Sequence, residues 1–278
     1  MKKNPTGSLR LREIVNHAGA MARELKNEYQ TRKTARGVVL CDVGCDHALV
    51  PVTLLLDGAI DSAIAVDVKK EPLERAKRNA AAYGVSERMR FVQADGLTKL
   101  QAGEAELCVI AGMGGELITD ILRRGSPQTL GVRYLLLSPH TKWADLRRFL
   151  RTEGYGVFRE TYVEEDEKIY PLLSCRVPEK TADADAERTE DESLTEIMKL
   201  FPADRQQDAL RICDRYGSYA LCHRDEVLDR YLAKRLQELD SILERMPAAG
   251  HDAQRDGIVL EQEDASVARS LPERVRLS

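Results

Sequence analysis

From Gly37 onward, short apolar and β-branched runs alternate with segments of helical period, the pattern of a sheet whose strands are joined by crossover helices. The runs predict strands at Val38–Asp42, Ala63–Asp67, Met89–Gln93, Leu107–Ala111 and Tyr134–Leu137. Helices are predicted between them at Leu49–Leu56, Pro72–Tyr83, Glu116–Arg123 and Trp143–Thr152, with Pro72 in a first turn and Gly84 as a stop. The pattern then changes. Tyr155–Val163 and Lys168–Val177 read as two strands joined through Glu164-Glu165-Asp166-Glu167 with no helix between them, a terminal hairpin. The expected fold class is therefore α/β, a doubly wound and mostly parallel sheet over residues 1–178 that ends in a β-hairpin.

Residues 179–192 are charged and poor in apolar side chains, which predicts a linker. Beyond it, Leu232, Leu236, Leu239, Leu243 and Met246 recur in steps of four and three, the stripe of a coiled-coil seam. Residues 193–247 are expected to form an antiparallel helical pair, with Tyr216-Gly217-Ser218 as the break and Pro202 as an earlier interruption. The polar stretch 248–278 has little to bury and is expected to be a mobile tail.

At 43% hydrophobic, the chain can fill a core of this size. No apolar run approaches the length of a membrane span, and the start MKKNPTGSLRLREI lacks the apolar stretch of a signal peptide, so a cytoplasmic protein is expected. Six cysteines without a CxxC pair, and five histidines without ligand spacing, predict a reduced protein with no metal. A net charge of −4 is not that of a generic nucleic-acid binder. Charge is uneven, however. Residues 1–37 hold Lys2, Lys3, Arg10, Arg12, Arg23, Lys26, Arg32, Lys33 and Arg36 against Glu13, Glu24 and Glu28. Such a segment reads equally as an arm that attracts phosphates and as a solvated helix face.

The chemistry concentrates where strands end. The first strand runs into Asp42-Val43-Gly44, a turn whose glycine lets a ligand approach the backbone beside a helix N-terminus. It is not a dinucleotide fingerprint, since Asp46 and Leu49 stand where GxGxxG needs glycines. Asp67 closes the second strand and Asp95-Gly96 follows the third. Any one of these acids has the simpler reading of a cap or turn. Together they converge on the crevice where open α/β sheets bind ligands. At the end of the fourth strand, Ala111-Gly112-Met113-Gly114-Gly115 is either a tight turn or a slot for a planar ligand.

In order along the chain, Asp42-Val-Gly-Cys-Asp-His-Ala48, Asp95-Gly-Leu97, Ala111-Gly-Met-Gly-Gly115 and Glu164-Glu-Asp-x-Lys168-x-Tyr170 resemble the bacterial tRNA (adenine-22-N1)-methyltransferase family. The resemblance spans about residues 8–177, including Ser8-Leu-Arg-Leu-Arg12 at the opening helix. It implies S-adenosylmethionine as cofactor, tRNA as partner, and no membrane, metal or obligate protein partner. It also implies that Asp42 and Gly44 face the methionine part of the cofactor, Asp67 the ribose, and Asp95 and Gly96 the adenine edge, with Ala111, Gly112 and Met113 beside them. Asp46 would sit nearest the chemistry, as the catalytic residue. His47, Gly114, Gly115, Arg10 and Arg12 would meet the substrate, with His140 a further substrate-binding candidate, although His47 reads equally as a helix-start residue satisfied by backbone.

Two positions depart from the family. Ser138-Pro139-His140 stands in place of Gln-Pro-Asn, and Pro171 in place of Glu, so the contacts made there do not carry over. Two other functions fit the same fold: methylation of a small molecule, and a non-catalytic RNA-binding adaptor. The intact set Asp42, Asp46, Asp67 and Asp95 argues against the adaptor.

Overall fold

The computed structural model describes residues 7–33, 36–179, 191–246 and 252–277. Helix α1 (Leu9–Thr31) precedes β1 (Val39–Val43), α2 (Leu49–Leu56), β2 (Ser62–Asp67), α3 (Lys70–Tyr83), β3 (Met89–Gln93), β4 (Leu107–Met113), α4 (Gly115–Gly125), α5 (Pro127–Leu130), β5 (Tyr134–Pro139) and α6 (Trp143–Thr152). Strands β6 (Gly156–Glu165) and β7 (Lys168–Arg176) follow, then α7 (Glu192–Lys199), α8 (Gln206–Tyr216), α9 (Ser218–Cys222), α10 (Glu226–Arg245) and α11 (Asp252–Leu277).

The strands form one seven-stranded sheet in the order β3-β2-β1-β4-β5-β7-β6. It is parallel from β3 to β5, and β7 runs antiparallel to β5. This is the doubly wound sheet with a terminal hairpin that the patterning predicts. Central strands covered on both faces need apolar side chains throughout, and every residue of β5 is buried. Edge strand β3 has no buried position. Asp166 and Glu167 link β6 to β7 with φ of 50° and 60°, the two left-handed residues of a tight hairpin turn, which leaves no room for a crossover helix.

Helix α1 is a packed layer of the sheet unit. Ile14, Ala18, Met21, Ala22 and Leu25 are buried along one face, and full burial of an Ile, Met or Leu side chain gives roughly 1.5–3 kcal/mol. Several of its cations pair within the fold: Lys26 with Asp61 at 3.0 Å, Arg32 with Glu28 at 3.1 Å. Arg36, just beyond the helix, pairs with Glu106. Arg12 and Arg23 remain exposed, while Lys2 and Lys3 lie outside the described residues.

The chain divides into two compact units, Met1–Val157 with Val163–Thr189, and Phe158–Tyr162 with Glu190–Ser278. Most of the expected linker lies outside the described residues. Its end, Asp191, caps α7 by accepting from the Leu194 N–H at 2.9 Å.

The second unit differs from expectation. The stretch expected to be a mobile tail forms α11, which buries Ala265, Ala268 and Leu271. The pairs Asp229–Arg269 and Arg235–Glu261 run in opposite order along α10 and α11, so these two helices are the antiparallel pair. The physical reason is that α11 packs through two alanines and one leucine, too small an apolar stripe to stand out in a polar sequence. Asp264, 2% exposed, also reads as polar surface, yet it takes two ion pairs, from Arg211 at 2.9 Å and Arg215 at 3.3 Å. No helix among the described residues is long and apolar enough to cross a membrane.

Candidate active site

The site begins at the carboxyl end of β1. Gly44 has a φ of 75°, and a Cβ there would lie 2.8 Å from Met113 Cε, so both the turn and the approach of the β4 loop require glycine. Its N–H donates to the Val66 carbonyl at 2.9 Å, which ties the end of β1 to that of β2. Asp42, one residue before the strand's last, is 6% exposed, and among the described residues its carboxylate has no hydrogen-bond or ion-pair partner. Burial, and secondarily the charge of Asp67, push its pKa up to about 7.

Asp42 opens on a cavity of about 290 Å³. Of the residues anticipated from sequence, Asp42, Gly44, Asp46, His47, Ala111, Gly112 and Arg10 line it. Ser8, Leu11, Ile14 and Glu165 line it as well and were not anticipated. Asp46 takes a left-handed φ of 37° in the turn before α2. Its Oδ1 accepts from Arg75 Nε at 3.1 Å, and its Oδ2 lies 3.6 Å from His47 Nε2. The His47 carbonyl accepts from Asn79 Nδ2 at 2.9 Å.

The remaining acids stand along the same sheet edge. Asp67 Oδ1 accepts from the Lys69 N–H at 2.9 Å. Asp95 is exposed and held by both arms of Arg124, with Nη2 at 3.1 Å, and this bond lowers its pKa. Gly96 has a φ of 59° and meets Ile121 of α4. Met113 and Gly114 are half-buried. Gly115 is buried, and its N–H donates to the Thr141 carbonyl at 2.8 Å. A Cβ on Gly115 would lie 2.7 Å from the Lys142 carbonyl, so that glycine serves backbone packing and not a slot. Within this loop Gly112, with a φ of 82°, is exposed and lines the cavity.

Arg10 also differs from the expected phosphate contact. Its Nε and Nη2 donate to Ser138 Oγ at 3.2 and 3.0 Å, Nη2 also donates to the Ser138 carbonyl at 3.2 Å, and Nη1 donates to His140 Nε2 at 2.8 Å. The guanidinium lies over the Tyr170 ring, 4.3 Å from its centroid. Ion-pair partners from distant elements, Arg75 and Arg124, leave no periodic or local motif in sequence. The cap of α1 is equally invisible there. Ser8 Oγ accepts from the Leu11 N–H at 3.1 Å and donates to Glu165 Oε2 at 2.9 Å, while Glu165 Oε1 accepts from the Leu9 N–H at 2.7 Å. Burial alone would raise the pKa of Glu165; these bonds outweigh it and lower it.

Residues 30–173 match the model of the methyltransferase domain family. The tRNA (adenine(22)-N(1))-methyltransferase of Bacillus subtilis is 35% identical over 146 residues, an alignment that spans 52% of this chain and 61% of that relative's length. The crystal structure of the B. subtilis M1A22 tRNA methyltransferase TrmK superposes with a TM-score of 0.71 at 24% identity, covering 95% of this chain and 99% of that one. A Streptococcus pneumoniae structure in complex with S-adenosyl-L-methionine gives a TM-score of 0.69 at 25% identity, covering 94% and 99%. The family match spans just over half of the 278 residues, and the chain belongs to the methyltransferase domain family.

Proposed function

We propose that this chain is an S-adenosylmethionine-dependent methyltransferase that methylates N1 of adenine 22 in the D-arm region of tRNA, working in the cytoplasm. One observation carries the cofactor reading. Asp42 is a buried carboxylate without a protein partner, facing a cavity. Such a group either takes up a proton or pairs with a cation, since a lone buried charge is costly; above its raised pKa of about 7 a cation is favoured, and the ammonium of the cofactor's methionine part would supply one. The B. subtilis relative's name supports the RNA substrate.

When bound, S-adenosylmethionine supplies an electrophilic methyl on a sulfonium. The chain's own residues then bind and orient. Asp42 would hold the ammonium, Asp67 the ribose hydroxyls and Asp95 the adenine amino edge. Asp46 stands beside the incoming base. Attack by N1 places a positive charge on the adenine, and the Asp46 carboxylate offsets it. Because Arg75 occupies Oδ1, Oδ2 is the oxygen left for the exocyclic amine. N1 lies on the pairing edge, so the base must leave its stack before it reaches this site.

Incubation with unmodified bacterial tRNA and methyl-labelled S-adenosylmethionine tests the reading. Label is expected in RNA with the wild-type chain and none with Asp46→Ala. Label that enters small metabolites and leaves RNA untouched would contradict it.

A further inference from the structure

The end of β5 carries a group that the proposed function does not use. His140 lies outside the cavity lining but touches Arg10, which belongs to it, and its backbone N–H donates to the Met113 carbonyl at 2.9 Å. Its ring meets Tyr170 edge-on, with centroids 5.3 Å apart and planes at 61°. On the other side, Arg10 Nη1 lies 2.8 Å from Nε2. A guanidinium has donors only and no lone pair to offer, so in this bond Nε2 must be the acceptor. A neutral ring that accepts at Nε2 carries its proton on Nδ1. Among the described residues Nδ1 has no protein partner, and His140 is exposed.

We propose that Arg10 fixes His140 as the neutral Nδ1–H tautomer, and that this Nδ1–H donates to a ring nitrogen of the target base, making His140 a specificity-determining residue. The proposal rests on the adenine-N1 reading above. Arg10 is the positioning residue. Its own orientation is set by Ser138 and by the face of Tyr170, so the ring it holds has one orientation. The groups facing the imidazole are Arg10 from α1 and Lys168 and Tyr170 from β7. Partial burial and the two cations oppose a second proton on the ring.

The consequence for recognition follows from donor and acceptor placement. An Nδ1–H pairs with N3 or N7 of a purine and repels the exocyclic amine of adenine, which is itself a donor. Asp46 Oδ2 does the opposite: it accepts from that amine and repels ring nitrogens. With the base between them, the donor of His140 and the acceptor of Asp46 allow adenine a single orientation, with N1 toward the methyl. Guanine fails, because its O6 is an acceptor where Asp46 demands a donor.

Two measurements on the full chain test this. The first is a long-range ¹H–¹⁵N spectrum of histidine-labelled protein near pH 8, with His140→Asn used to assign the signal. Nε2 is expected at the unprotonated position and Nδ1 at the protonated one, and Arg10→Ala should convert much of the population to Nε2–H. An Nε2–H ring in the wild type, or a tautomer indifferent to Arg10→Ala, would overturn the proposal. The second uses synthetic tRNA with 3-deaza- or 7-deazaadenine at the target position. One of the two should lose about tenfold in kcat/KM, the worth of one hydrogen bond, and that loss should vanish in His140→Ala. His140→Asn retains an N–H donor and should keep most of the wild-type discrimination. Equal rates on both analogues with the wild type would overturn the base contact. If unmodified RNA is not methylated at all, the adenine-N1 reading fails, and the spectrum still decides the tautomer.

Discussion

Arg75 on α3 holds Asp46 through a 3.1 Å bond from Nε to Oδ1, so the acid nearest the expected chemistry is positioned by a cation from another element. Both side chains are more than a third exposed, and a pair of this kind contributes little to stability, about 0–1 kcal/mol. Its role is orientation. Asp46→Ala is expected to abolish turnover while leaving cofactor affinity within about tenfold, because the proposed function puts this acid beside the base and not the nucleoside. Arg75→Ala should lower kcat more than it raises the cofactor Kd, with partial recovery in Arg75→Lys. Steady-state kinetics alongside calorimetric titration separates the two effects, and normal turnover in Asp46→Ala would remove this acid from the mechanism.

The ammonium contact proposed for Asp42 makes cofactor binding depend on pH. The pKa of Asp42, raised to about 7, means that between about pH 4 and pH 7 the unfolded chain has this carboxylate ionised while the folded chain keeps it protonated. The folded state binds more protons there, so stability falls as pH rises and the full cost is present above about 7. Asp42→Asn should therefore melt higher than wild type at pH 8, with the gap closing toward pH 4. The same variant should bind S-adenosylhomocysteine roughly 10–100-fold more weakly at pH 8, the loss of a charge-assisted contact. Wild-type affinity should drop as pH falls through about 7, and the variant's should stay flat.

For the ribose contact proposed for Asp67, Asp67→Ala is expected to weaken binding by roughly 1.5–3 kcal/mol. Turnover at saturating cofactor should largely recover. Arg124→Ala frees Asp95 and should weaken binding by about threefold to tenfold, as expected of a lost orienting contact. Tighter binding in Arg124→Ala would show instead that the arginine competes with the adenine edge.

Asp264 holds α11 to Arg211 and Arg215 while 2% exposed. Breaking a buried pair from one side leaves the partner charges uncompensated, so Asp264→Ala is expected to cost about 2–4 kcal/mol, somewhat under the fully buried range because the arginines are partly exposed. Urea denaturation of the full chain reads this directly, and a loss below about 0.5 kcal/mol would place the pair among surface contacts.

How much of this was legible in sequence divides along physical lines. Strand and helix positions could be read because burial on both faces of β1, β4 and β5 demands mostly apolar runs, and because Gly84 takes the left-handed cap of α3. The placing of Asp42, Asp67 and Asp95 on one sheet edge could be read because strand ends converge there, but only Asp42 of the three lines the cavity. What could not be read depends on side chains that meet across many residues: Arg75 on Asp46, Arg124 on Asp95, Glu165 on the start of α1. Arg10 looked like part of a basic arm, since sequence shows its charge but not the serine, histidine and tyrosine that absorb it. Helix α11 leaves little apolar signal in sequence, because its packing face is two alanines and a leucine.

The central claim is the identity of the methylated atom. Unmodified bacterial tRNA treated with the chain and S-adenosylmethionine, then digested to nucleosides and mapped by mass spectrometry, should yield N1-methyladenine from position 22. N6-methyladenine or a methylguanine as the product, or N1-methyladenine from a different position, would contradict the account.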